Sequence, residues 1–84
     1  MKELSKAKNG NLRVADLALA TTLSLWHPIE ALERTPGLHR AYFCFVQGND
    51  VDELVEQYWR REVRVEPQQY FNQIKALKAR LYAD

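Results

Sequence analysis

Eighty-four residues with a net charge of +1, 46% hydrophobic and 27% charged, describe one globular domain. The chain is too short for two cores, too apolar for disorder and too nearly neutral for a global pull on nucleic acid or an anionic membrane. Its single cysteine, Cys44, excludes an intrachain disulfide and fits a reducing cytoplasm.

Residues 1–12 are polar and basic, with Lys2, Lys6 and Lys8 against Glu3, and Asn9-Gly10-Asn11 separates them from the more apolar remainder of the chain. They read as a flexible N-terminal tail, with residues 13–84 forming the domain. Ala18-Leu19-Ala20 has the form of a cleavage site, but no hydrophobic region precedes it, so no signal peptide is expected. The run 14–26 is too short to span a bilayer and contains Asp16.

Val14 to Trp26 is the first expected helix. Val14, Leu17, Ala18, Thr21 and Leu25 form one stripe and Leu19, Leu23 and Trp26 another, which marks a central helix. Asp16 suits the N-terminal dipole, and His27-Pro28 ends the helix.

Ile29 to Arg34 and Leu38 to Gln47 are expected to pair as a hairpin around Thr35-Pro36-Gly37, whose Pro-Gly fits a type II turn. That centre places Glu33 opposite Arg40, Ala31 opposite Tyr42 and Leu32 opposite Ala41. Along the second strand neither side is properly polar. Phe43 and Phe45, joined by Leu32, are expected to face the helices. Ile29, Ala31, Tyr42, Cys44 and Val46 then lie on the other face, edged by Glu33 and Arg40.

Asp50 to Arg61 is the second helix, with Asn49 or Asp50 as cap and Asp50-x-x-Glu53 resembling a capping box. Val51, Leu54, Val55, Tyr58 and Trp59 recur at helical spacing. Val63 to Val65 looks extended. Pro67 to Tyr82 is the third helix, with Pro67 at its first position and Tyr70, Phe71, Ile74, Leu77, Leu81 and Tyr82 as its buried stripe. The expected fold is α+β, a single αββαα domain whose core includes Phe43, Phe45, Leu54, Tyr58 and Ile74.

The strings ADLALATTLSL, YFCFVQG, DELVEQYW and VEPQQYFNQIKALKARLY resemble a family of small bacterial domains of unknown function. In it a D-L-A-L-A helix start precedes an F-x-F strand, an E-L-V-x-x-Y helix, V-x-P-x-x-[YF]-F and an L-K-x-R-[IL]-Y ending. The resemblance covers residues 14 to 82 and rests on positions that read as core and cap. It implies the fold and carries no activity. Val14-Ala15 stands where members often have a capping Thr or Ser.

No chemistry-bearing constellation emerges. His27, His39 and Cys44 have no metal-ligand spacing, Cys44 has no evident activating base, and the three glycines form no phosphate loop. Neither a cofactor nor an enzyme is expected. Asp50, Asp52, Glu53 and Glu56 read as helix-start charge rather than a calcium loop.

Two binding surfaces remain as expectations. One is a protein interface on the second hairpin face, Ile29, Ala31, Arg40, Tyr42, Cys44 and Val46, serving a second copy or another protein unless the last helix or the tail covers it. The other is a nucleic-acid contact by Arg60, Arg61, Arg64, Lys75 and Lys78, which Glu62 and Glu66 interrupt. Salt separates the two, because phosphate contacts weaken with ionic strength and apolar association does not.

Overall fold

A computed structural model describes residues 4–6, 11–35 and 40–83, the first three by backbone. Strands β1 (Leu4–Lys6) and β2 (Asn11–Val14) precede helix α1 (Leu17–Ser24). Strands β3 (Ala31–Thr35) and β4 (Arg40–Val46) come next, then helices α2 (Asn49–Trp59) and α3 (Pro67–Tyr82). From α1 onward this is the expected helix, hairpin, helix, helix order of an α+β domain.

The first two strands depart from the expectation of a tail. Asn11-Leu12-Arg13-Val14 alternates, with Leu12 and Val14 buried and Asn11 and Arg13 half-buried. That period of two is a strand signal, missed because Val14 also fits a helical stripe with Leu17. Leu4 pairs with Val14 and Lys6 with Leu12. Residues 1–3 and 7–10 of the expected tail lie outside the described residues.

The sheet is antiparallel throughout, in the order β1-β2-β4-β3. β4 is thus flanked on both sides, with Val14 paired to Phe43 and Leu12 to Phe45. The hairpin register differs from the expected one by two residues. Leu32 pairs with Phe43, Glu33 with Tyr42 and Thr35 with Arg40. Four residues, 36–39, separate the paired ends; the expected Pro36-Gly37 turn falls among them, outside the described residues. A slip of two leaves every side chain on its expected face.

Leu12, Val14, Phe43 and Phe45 meet Leu19, Ala20, Leu23, Val51, Val55 and Leu77 in one buried cluster, with Leu32, Leu54 and Tyr58 packed at its margin. α1 is the central helix, packed on α2, α3 and β2. It begins at Leu17 rather than at the expected Val14, because Asp16 is its N-cap: Oδ1 accepts the Leu19 N–H at 3.0 Å. Thr21 and Thr22 are buried there, their hydroxyls donating to the Leu17 and Ala18 carbonyls at 2.8 and 2.9 Å.

α2 starts at Asn49 with Gly48 at the N-cap and no side-chain cap, so neither Asn49 nor Asp50 caps it. Instead Gln47 Nε2 donates to Asp52 Oδ1. Its end is a Schellman turn. Arg61 N–H donates to the Tyr58 carbonyl and Glu62 N–H to the Gln57 carbonyl, with Arg61 in the left-handed region at φ 62°.

α3 spans its expected residues, with Pro67 in its first turn and Glu66 accepting the Gln69 N–H at 2.7 Å. Gln73 Nε2 donates to Ser24 Oγ at 2.9 Å, tying α3 to α1. Only Leu77 of α3 is fully buried, while Tyr70, Ile74 and Leu81 are half-buried. Phe71 and Tyr82, expected in the buried stripe, are exposed. They sit on the flank of a helix lying at the margin of a small core, which accommodates a narrower stripe than its apolar residues offer.

Candidate interaction surfaces

The helices occupy one face of the sheet. The other carries Arg13 on β2, Arg40, Tyr42, Cys44 and Val46 on β4, and Ala31 and Glu33 on β3, as register and strand alternation require. No described helix packs on it. Ala31 and Arg40 are exposed, and Val46 is 57% exposed.

Two members of the expected patch sit differently. Ile29 packs against the core cluster. It comes after Pro28 and before β3, where strand alternation has not begun. Cys44 is 1% exposed although it lies on the open face.

The strand that sequence reading missed supplies the cover. Arg13 on β2 pairs with Glu33 on β3, Nε to Oε1 at 3.2 Å, and so reaches across the intervening β4. Its guanidinium carbon lies 4.5 Å from the centroid of the Tyr42 ring, a cation–π contact. The Cys44 thiol is pushed above its usual pKa by burial, and the Glu33 carboxylate adds to the effect. The thiol is therefore protonated at neutral pH, the inert form. Once Arg13 is placed on β2, the face is half polar, which the hairpin's own sequence does not reveal.

The basic residues do not form one patch. Arg60 is engaged by Glu62 at 3.3 Å and Glu56 at 4.0 Å. Arg61 lines an open groove of about 510 Å3 with Tyr58, Trp59, Val65 and Tyr70. Arg64 lines a different hollow with Trp26, His27 and Glu53, and Val63 borders both. Burial pushes the Tyr58 and Tyr70 phenols above their usual range. Lys75 and Lys78 are exposed on α3, and Lys75 Nζ lies 5.2 Å from the centroid of the Phe71 ring.

Among the described residues no group of three or more His, Cys, Asp and Glu side chains could hold a metal ion, and no helix is long and apolar enough to cross a membrane. His39 lies outside the described residues.

The profile of DUF5659, a domain of unknown function, matches residues 9–83. The chain belongs to this family. The match starts within the β1–β2 connection and so takes in the whole of β2, agreeing with the structure that the domain begins ahead of α1. No curated protein and no solved structure matches the chain. Of the residues whose pattern carried the resemblance, Phe71, Lys78, Arg80 and Tyr82 are surface positions and not core or cap.

Proposed function

We propose that this DUF5659 domain is a non-catalytic interaction module that pairs with a second copy of itself through the open side of its sheet. The observation that carries the reading is one-sided packing: helices cover the Phe43 and Phe45 face, while Ala31, Arg40, Tyr42 and Val46 lie on a face no described helix covers. Among the described residues β3 ends the sheet and presents a free edge beside that face. The two sides of an isologous contact are identical, so the surface must be self-complementary. The Arg13–Glu33 pair and Arg40 give it both signs of charge, and a net charge of +1 adds little repulsion between copies.

The association is weak. Strands of up to seven residues, at about 3.4 Å per residue and about 4.8 Å apart, cover roughly 24 by 15 Å. A stable interface buries about 800 Å2 on each partner, so this face belongs to the transient class. The reducing cytoplasm is the proposed location, supported by the single cysteine, which has no partner for an intrachain disulfide.

Sedimentation at tens to hundreds of micromolar tests the reading, with circular dichroism as the folding control. The wild type should show a concentration-dependent dimer, and Val46→Glu should remain monomeric while keeping its fold. A wild type that stays monomeric throughout overturns the proposal.

A further inference from the structure

α3 carries no acidic residue between Pro67 and Tyr82. Its buried side is Leu77, flanked by Tyr70, Ile74 and Leu81. Phe71, Lys75, Lys78 and Tyr82 are spaced by four, three and four residues, which puts all four on one stripe of the helix beside that buried side. Phe71 is 59% and Tyr82 81% exposed, and both lysines are exposed. At about 1.5 Å per residue the stripe is about 16 Å long, aromatic at each end and cationic between.

We propose that this stripe binds single-stranded nucleic acid without sequence preference. The surface is separate from the sheet face and the inference does not depend on self-association. The lysines complement a phosphate backbone, and no carboxylate on the helix competes with it. The Phe71 and Tyr82 rings give π-faces on which unpaired bases stack, a sequence-tolerant contact. A duplex keeps its bases stacked on one another and leaves such rings without a partner. A bilayer requires a broad apolar face, whereas here lysines separate the two rings and Gln68, Asn72 and Ala79 border them. Lys75 already lies 5.2 Å from the Phe71 ring centroid, so cation and stacking surface are held together before any ligand arrives. Arg60, the first of the three arginines that follow α2, takes no part, because Glu56 and Glu62 engage it.

The test is a fluorescence-anisotropy titration of labelled oligothymidylate at low and moderate salt. It compares the wild type with Phe71→Ala/Tyr82→Ala and with Lys75→Ala/Lys78→Ala. All four positions are exposed, and circular dichroism confirms folding. The wild type should bind, and more weakly as salt rises. The aromatic variant should lose at least about tenfold in affinity at either salt. The lysine variant should lose affinity and show a shallower salt dependence. No binding at low salt, or affinity unchanged in the aromatic variant, overturns the proposal. So does equal or tighter binding of a matched duplex, of polyglutamate, or of vesicles rich in anionic lipid. Those outcomes assign the stripe to duplex, to an acidic protein or to a membrane surface instead.

Discussion

Arg34 on β3 and Leu81 in the last turn of α3 are joined across 47 positions of sequence, Arg34 Nη2 donating to the Leu81 main-chain carbonyl at 2.7 Å. The same nitrogen lies 2.9 Å from the Arg80 carbonyl and 3.0 Å from that of Ala83. The last carbonyls of a helix have no partner within it and carry its negative dipole end. Arg34 therefore caps α3 from the sheet. Arg34→Ala should lower stability by about 1–2 kcal/mol, since charge-assisted bonds are the stronger kind but this site is exposed. Arg34→Lys should recover only part, because an ammonium lacks the guanidinium's spread of donors. Urea unfolding at neutral pH reads both; an unchanged midpoint for Arg34→Ala would contradict the cap.

Phe43 is 1% exposed and pairs with both Val14 and Leu32 at the centre of the sheet. Phe43→Ala should cost about 3–5 kcal/mol, comparable to the whole stability of a small domain. The variant should lose its cooperative thermal transition. A melt at the wild-type temperature would mean that the buried face has been assigned wrongly.

Arg61 holds a left-handed φ of 62° at the end of α2, where glycine is the usual residue. A side chain there costs about 1–2 kcal/mol, and glycine gives back part of that gain through a freer unfolded chain. Arg61→Gly should thus raise stability by about 0.5–1 kcal/mol. Denaturant midpoints of the two proteins decide the sign, and a lower midpoint would show that contacts of Arg61 in its groove outweigh the backbone strain.

Alkaline pH should destabilise the fold. Cys44, Tyr58 and Tyr70 all have pKa values raised in the folded state. Above the ordinary values of 9.0 for cysteine and 10.0 for tyrosine, the unfolded chain gives up these protons while the folded chain keeps them. The folded state then binds more protons, so stability falls as pH rises and is unaffected by these groups below about pH 8. Unfolding midpoints at about pH 7, 9 and 10.5 check the direction, and Cys44→Ala should flatten the first part of the decline. Iodoacetamide should label native Cys44 slowly, and faster in Arg13→Ala, where the side chain that crosses β4 is gone.

How much of this was legible in the sequence depended on how local each signal was. The three helices, the inward Phe43 and Phe45 and the Pro67 start of α3 follow from periodicity and proline chemistry within a few residues. The hairpin faces were readable, but not its register, because parity survives a slip of two. β2 was missed because four alternating residues compete with a helical stripe through Val14, and the pairing that decides between them is with β4, far along the chain. The Arg13–Glu33 pair over Tyr42 depends on that pairing and was hidden with it. Phe71 and Tyr82 fit an apolar helix stripe by spacing alone, and only packing reveals that the core is too narrow to reach them.

The strand order sets a sequence of events in time. β3 and β4 are neighbours along the chain, so their pairing closes a short loop, whereas Val14 and Phe43 are brought together only by closing the segment that includes α1. Loop-closure entropy favours the short step first. On that basis β2 is expected to join the formed hairpin late, beyond the main folding barrier. Leu12→Ala should accordingly speed unfolding with little change in the folding rate, whereas Leu32→Ala should slow folding, a contrast that stopped-flow chevron plots resolve.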